Sequence, residues 1–248
     1  MQRYFIDPNA IEPGRITVRG DDVHHIKNVL RMTVGDHILC CDGQGKDYYT
    51  ELVSITDKEI LCRILSTFPS KGEPRVRVTV ASSLPKGDKL EWVLQKATEL
   101  GADSFLPFMS SRSVVRLDGK KSAKKRVRWQ RIVKEAAEQS HRGYVPQVGN
   151  VLTWKGLLEK FPSYDQVLFA YEREGSSLVE VLQKTRSQRL LVVVGPEGGF
   201  TESEVEEAVA QGAVPVQLGP RILRAETAPL ALLSCILFSF GEMGGEPL

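Results

Sequence analysis

Leu190-Leu-Val-Val-Val-Gly-Pro-Glu-Gly-Gly-Phe-Thr-Glu-Ser-Glu204 decides the fold. Its first five residues are apolar, mostly β-branched and without alternation, the pattern of a central parallel strand covered on both faces. Thr201 and Glu204 form a capping-box pattern that opens a helix, with Phe200 and Val205 placed as a hydrophobic staple. Between strand and helix lie three glycines, a proline and one carboxylate. A glycine-rich loop at the carboxyl end of a central strand is where α/β sheets place ligands, since glycine lets backbone N–H groups and a ligand approach closely. The loop is neither G-x-G-x-x-G nor G-x-x-x-x-G-K-[ST], and no lysine follows it, which disfavours a nucleotide-triphosphate loop. A plain strand-to-helix turn is the competing reading at this point.

The arrangement recurs at Val216-Gln-Leu-Gly-Pro-Arg-Ile-Leu-Arg-Ala-Glu-Thr-Ala-Pro229. A strand (Val214–Leu218) meets a Gly-Pro turn and an irregular polar stretch. An apolar helix follows, from about Ala228 to Phe240, which should be buried all round. Arg221, Arg224, Glu226 and Thr227 crowd beside it, where charged groups need partners or a ligand; capping by Glu226 and Thr227 with solvated arginines is the alternative. Upstream, strands at Arg75–Ala81, Ser104–Phe108 and Gln166–Tyr171 alternate with amphipathic helices. One carries Leu90, Val93, Leu94, Ala97 and Leu100 on one face, with Asp88 and Glu91 as a capping signal and Gly101 as its stop. The other is marked by Trp129, Ile132, Val133, Ala136 and Ala137. Such alternation predicts an α/β domain with a parallel sheet. Before residue 70 the pattern differs: strands at Ile16–Val18, Val34–Cys41, Tyr48–Ile55 and Glu59–Leu65, and a short helix capped by Asp21 and Asp22. Thr67–Pro74 reads as a linker. The expected domains are 1–72, small and mostly β, and 73–248, α/β.

The chain has 248 residues and is nearly balanced in charge, 33 Lys and Arg against 31 Asp and Glu. Its 42% hydrophobic and 26% charged content exclude disordered, collagen-like and disulfide-scaffold classes. The longest apolar run falls short of the roughly 20 residues a membrane span needs, and Met1–Pro8 has no basic-then-apolar signal pattern. Cys40, Cys41, Cys62 and Cys235 include no C-x-x-C, so no metal site is expected; they read as buried thiols in a reducing compartment, and the chain as cytoplasmic. Balance conceals one cluster: from Arg112 to Arg142 eleven Lys and Arg face only Asp118, Glu135 and Glu138. Such a stretch is a candidate phosphate-binding face, or else a solvated helix surface. Arg3, Arg15, Arg19, His24, His25, Lys27 and Arg31 give the first domain a comparable RNA-binding potential, and no Ser-His-Asp setting supports a hydrolase.

Arg3-Tyr-Phe, His24-His-x-x-x-Val-Leu-Arg31, Leu84-Pro-Lys-Gly-Asp-Lys-Leu-Glu91, Lys96–Gly101, Ser111-Arg-Ser113, Glu138-Gln-Ser140, Gly195–Phe200 and Leu218–Arg224 with Glu226-Thr-Ala228 together resemble the RsmE family of SPOUT methyltransferases, in the family's order and across nearly the whole chain. The resemblance implies a PUA-like RNA-binding β-barrel followed by a SPOUT α/β domain with a C-terminal trefoil knot, acting as a homodimer. It implies methylation of N3 of a uridine in 16S ribosomal RNA of the small subunit, with S-adenosylmethionine as cofactor. It places cofactor binding on Gly195, Pro196, Glu197, Gly198, Gly199, Leu218, Gly219, Ile222, Leu223, Thr227 and Ala228. Arg224 and Arg221 would stabilise charge on the base, with Arg112 and Arg142 able to come from the second subunit. Glu197 or Glu226, with Glu138 behind them, would take the proton if burial raised the carboxyl pKa; a loop-fixing role for these carboxylates is the alternative. RNA contacts fall to Arg3, His25, Arg31, Lys86, Arg112, Arg116 and Arg142. A SPOUT enzyme acting on a different RNA, a non-catalytic RNA-binding protein and a small-molecule α/β enzyme are the competing functions.

Overall fold

The computed structural model describes residues 1–173 and 175–244. The chain forms two compact units: Met1–Glu73 together with Ala137–Val145, and Pro74–Ala136 together with the chain from Pro146 onward.

The first unit is a curled six-stranded sheet in the order β1-β4-β5-β6-β3-β2. Its elements are β1 (Arg3–Phe5), β2 (Ile11–Glu12), β3 (Arg15–Arg19), the single-turn α1 (Asp21–His24), β4 (His37–Cys41), β5 (Lys46–Ile55) and β6 (Glu59–Pro69). All pairings are antiparallel except β1 with β4. Period-two alternation puts Ile16, Val18, Ile38, Cys40, Leu52, Ile60 and Cys62 on one face, where they close a core with Tyr4 and Ile26. Two irregularities in β5, at Tyr49/Thr50 and Leu52/Ser54, curl the sheet. The expected barrel is thus a curled sheet whose end strands, β1 and β2, do not pair with each other.

Three local expectations are corrected here. The strand expected to stop at Leu65 continues to Pro69, because Tyr48, Asp47 and Lys46 keep pairing with Thr67, Phe68 and Pro69; the first three residues of the expected linker are therefore strand. Proline tolerates that terminal position, where its missing N–H costs the ladder nothing. Asp21 and Asp22 do not cap their helix: Gly20 holds the cap position, the two acids sit inside the first turn, and His25–Val29 continue as a π-turn. Asp88 likewise makes no side-chain cap, and Glu91 instead accepts from Arg128 at 2.7 Å.

A buried ion pair ties this unit together. Both terminal nitrogens of the Arg3 guanidinium donate to the Asp47 carboxylate, at 2.6 and 2.7 Å, with side chains 1% and 6% exposed. The Ser70 hydroxyl donates to the same carboxylate at 2.5 Å. Arg142 is 2% exposed and pairs with Glu73 at 2.8 Å, while the Gly143 N–H donates to Glu73 at 2.6 Å. These bonds lock the 137–145 segment into the first unit. The resemblance assigns Arg3 and Arg142 to RNA; both are instead consumed by internal carboxylates, as burial of an arginine requires.

The second unit is built on an eight-stranded parallel sheet, order β10-β8-β7-β13-β11-β14-β12, with β9 beside β8. Its elements are β7 (Arg77–Ser83), α2 (Lys89–Leu100), β8 (Ser104–Met109), α3 (Gly119–Gln139, whose last turn enters the first unit), β9 (Gln147–Val148), β10 (Leu152–Thr153), α4 (Trp154–Leu158), β11 (Gln166–Ala170), β12 (Ser176–Ser177), α5 (Leu178–Lys184), β13 (Arg189–Val194), α6 (Glu202–Ala210), β14 (Val214–Gln217) and α7 (Ala228–Ser239). β13 lies between β7 and β11, and Leu190–Val194 are all buried, as the unalternating run predicts. α7 packs on α2 and the sheet through Leu232, Leu233, Ile236 and Leu237. It is not buried all round: Cys235 is exposed and Phe238 is 55% exposed, since the sheet covers one face only. Cys40, Cys41 and Cys62 are buried as expected.

Asp47→Ala should cost the first unit about 3–5 kcal/mol in a urea titration, because it leaves the Arg3 charge buried and unmatched. Burial alone would raise the Asp47 carboxyl, but hydrogen bonds from Arg3 and Ser70 hold it below its ordinary value. A carboxylate with a depressed folded value stabilises above its unfolded pKa, about 3.9, and loses that contribution as pH falls through the folded value. Wild-type stability should therefore decline on acidification below about pH 4, and the Asp47→Asn variant should lose less over the same range.

Candidate functional site

Three strand ends converge. β13 and β14 lie on either side of β11, and each runs at its carboxyl end into one of the two glycine-containing loops, 195–200 and 218–227. Between these loops is a cavity of about 430 Å³, walled by Ala170, Val194, Phe200, Val216, Leu218, Leu223 and Ala228, with Lys89, Glu172, Glu197, Arg221 and Arg224 as its charged groups. An apolar pocket of this size with a few convergent polar groups, at the carboxyl ends of a parallel sheet, is the form of a small-molecule site.

Two of the glycines are needed for different reasons. At Gly195 a Cβ would lie 2.8 Å from the Phe200 ring. That ring cannot retreat, because it packs on Phe169 at 4.3 Å and on Trp154 and Phe108 behind it. At Gly199 the backbone is left-handed, φ 66°, which side-chain-bearing residues avoid. The Thr201 capping box then starts α6: the Thr201 hydroxyl accepts from the Glu204 N–H at 3.2 Å, and Glu204 accepts from the Thr201 N–H at 2.9 Å.

Glu204 is buried and divides its two oxygens. One closes the capping box; the other accepts from the Ser111 N–H at 2.7 Å. The segment following β8 is thereby fixed to the start of α6, helped by a buried hydroxyl cluster of Ser83, Ser110 and Ser113. This seats Arg112 over the loop, where its guanidinium donates to the Gly198 carbonyl at 2.9 Å.

The two candidate catalytic carboxylates share one lysine. Lys89, at the start of α2, lies 3.1 Å from Glu197 and 3.2 Å from Glu226. Burial alone would raise the Glu197 carboxyl, but hydrogen bonds from its own backbone N–H, from Lys89 and from the Lys86 N–H keep it below the ordinary carboxylate value. The same hydrogen bonds, to Glu197 and then Glu226, push Lys89 up. Glu197 thus shows no burial-raised carboxyl: it accepts from Lys89 at 3.1 Å and from the Lys86 N–H at 3.4 Å. Glu138 lies in the first unit, where it accepts from the Phe5 N–H at 3.1 Å.

Residues 72–237 match the family model described as the RNA methyltransferase domain, and residues 18–65 match the RNA methyltransferase PUA domain. The ribosomal RNA small subunit methyltransferase E of Bacillus subtilis is 46% identical over 257 aligned positions, covering 99% of this chain and all of that one. This chain belongs to the ribosomal RNA small subunit methyltransferase E family. Among solved structures, the ribosomal RNA small subunit methyltransferase E of Neisseria gonorrhoeae, bound to S-adenosyl methionine, superposes with a TM-score of 0.87 at 34% identity, covering 96% of this chain and 97% of that one. A methyltransferase of Legionella pneumophila, in complex with the bound cofactor SAM, gives 0.87 at 26% identity, covering 95% and 96%.

In this methyltransferase E chain the expected cofactor residues fall close together. Gly195, Pro196, Glu197, Gly199, Leu218, Gly219, Ile222, Leu223 and Ala228 all line the cavity, as does Arg224, expected to stabilise charge on the base. Gly198 turns its carbonyl to Arg112, and Glu226 is paired with Lys89. Thr227 is exposed and makes no side-chain cap on α7. Arg224 is 80% exposed at its side chain. Of the RNA candidates, Arg31, Lys86, Arg112 and Arg116 are exposed, Arg31 on a left-handed backbone. His25 has its Nδ1 3.0 Å from the Tyr4 hydroxyl. Sequence reasoning misses Lys89 and Glu172. Lys89 lies within the Leu84–Glu91 segment, and Glu172 follows directly on an apolar strand; neither stands near either loop in the chain.

Two substitutions test this geometry. Gly195→Ala drives a methyl group into the Phe200 ring and should destabilise the protein by about 1–3 kcal/mol, read from chemical denaturation. Lys89→Met should raise the Glu197 carboxyl pKa, followed by carboxyl-carbon NMR titration; an unmoved value would mean that Lys89 does not hold the carboxylate.

Proposed function

We propose that this protein methylates N3 of a uridine in 16S ribosomal RNA, taking the methyl group from S-adenosylmethionine. The observation that carries the reading is the cavity enclosed by two glycine loops at the ends of β13 and β14, in a chain of the methyltransferase E family. Its residues suit the cofactor. Val194, Phe200, Val216 and Leu218 offer apolar walls to an adenine ring, and Gly195 and Gly199 let the loop pack closely on Phe200 and Glu172. The charged groups on its walls suit the amino-acid end. When bound, the cofactor supplies a methyl group on a sulfonium, an electrophile that needs no further activation.

The protein's task is then to present a nucleophile. Uridine N3 is a poor one until its proton leaves, and the resulting negative charge spreads onto the base oxygens. Arg224 and Arg221 stand at the cavity with exposed guanidinium groups, positioned to favour that charge. Glu197 and Glu226, tied to Lys89, set the loop geometry rather than taking the proton, which leaves to water. Arg112 braces the Gly198 carbonyl from its own chain. Orientation of base against methyl group supplies much of the rate.

RNA would be gripped by the cations of Arg112, Arg116 and the exposed face of α3, where Lys120, Lys121, Lys124, Lys125 and Arg126 lie together, and by Arg31 and Lys86. The PUA-like unit holds the RNA backbone. The uncovered strip of α7, Cys235 and Phe238, is the apolar surface a second copy would cover in a homodimer. The trefoil knot and a cytoplasmic site of action belong to the same reading. Among the described residues no helix is long and apolar enough to cross a membrane.

The deciding experiment incubates the protein and labelled S-adenosylmethionine with small ribosomal subunits from cells lacking the corresponding gene, then maps the modified base. Label at N3 of one uridine in 16S RNA is the expected result. Label in transfer RNA, as a SPOUT enzyme of other specificity would give, or no label, would overturn the reading. Replacing Lys120, Lys121, Lys124 and Lys125 with Ala should weaken RNA binding. The slope of log affinity against log salt should flatten by about 0.7–0.9 for each phosphate no longer neutralised.

A further inference from the structure

Glu172 lines the cavity just beyond the end of β11, the strand flanked by β13 and β14, so it stands where both loops begin. Its carboxylate lies against the glycine loop: one oxygen is 3.1 Å from the position a Cβ on Gly199 would occupy. Of the other carboxylates nearby, Glu197 lines the cavity and is bonded to Lys89, while Glu226, outside the lining, is ion-paired with Lys89 and keeps one buried oxygen without a hydrogen-bond partner. Among the described residues nothing donates to Glu172 or pairs with it. The cavity therefore contains one strong acceptor with its capacity unspent, facing a stretch of backbone from which side chains are absent.

We propose that Glu172 receives the vicinal hydroxyls of the cofactor's ribose, an inference that rests on the cofactor reading above. A carboxylate offers two oxygens at a spacing that matches two adjacent hydroxyl donors. An acidic residue at the end of a parallel strand, beside a glycine-rich loop, is how dinucleotide folds hold a ribose, and the physical logic transfers without the fold. The lack of a side chain at Gly199 lets the Glu172 carboxylate lie close against the loop at the cavity wall. Glu172 also makes the site selective for ribose over deoxyribose, since a carboxylate facing a missing hydroxyl is left unpaired.

The test is calorimetric binding of two probes to the full-length wild-type and Glu172→Gln proteins. S-adenosylhomocysteine carries both the ribose diol and the α-ammonium group; 5′-methylthioadenosine carries the diol alone. Glu172 is exposed and unpaired, so an unchanged melting temperature is expected and serves as the fold control. The inference requires both ligands to weaken by a similar factor, roughly tenfold to a hundredfold, the scale of hydrogen bonds to a charged group. Weakening confined to S-adenosylhomocysteine would assign the carboxylate to the ammonium and overturn the proposal. Equal binding by both proteins would overturn it while leaving the cofactor reading intact. Failure of the wild-type protein to bind S-adenosylhomocysteine at all would overturn the cofactor reading itself.

Discussion

The contact between Gly195 and the Phe200 ring sets the terms for the rest of the site. β13 is buried on both faces, so the chain must leave the sheet straight over the aromatic cluster of Phe108, Trp154, Phe169 and Phe200. Nothing larger than glycine fits over that cluster at position 195. The loop is consequently the upper surface of the hydrophobic core, not an appendage to it. Its position is inherited from close packing, in which even one extra methylene is felt. Preorganisation of this kind lets a binding loop hold its shape without a ligand to support it.

From that loop the order spreads through polar contacts, each closing a separate degree of freedom. Glu204 joins the helix start to the segment after β8, and Lys89 joins both loops to the start of α2. The two loop carboxylates are in consequence both paired with Lys89, though one buried Glu226 oxygen keeps no hydrogen-bond partner. The pairing of Glu197 and Glu226 follows from the cost of unmatched charge away from water; Glu172, on the same cavity, is solvent-exposed and stands without a partner among the described residues.

Much of this was legible in sequence because it is written in short-range signals. The unalternating run at Leu190–Val194, the Thr201/Glu204 spacing and the Gly101 stop are local patterns, and the strand, the capping box and the left-handed glycine at φ 116° follow them. What escaped depends on contacts between residues far apart in the chain. Arg3 and Arg142 look in sequence like the solvent-seeking cations around them, and only their partners, Asp47 and Glu73, reveal them as buried. Asp88 and Glu91 have capping spacing, yet Arg128, 37 residues away, claims Glu91. The apolar residues on every side of α7 carried no record of which face the sheet would leave uncovered. Lys89 and Glu172 reach the cavity from other elements entirely.

The return of residues 137–145 to the first unit has a consequence for how the chain is made. Glu73 is the last residue of the first stretch, and its partners, Arg142 and the Gly143 amide, follow a whole strand-helix-strand-helix passage later. A ribosome synthesising this protein releases β1–β6 long before the segment that completes their unit exists. The early sheet must wait, with Glu73 unmatched, until the chain has passed residue 145. Synthesis order and structural order thus part company within one polypeptide.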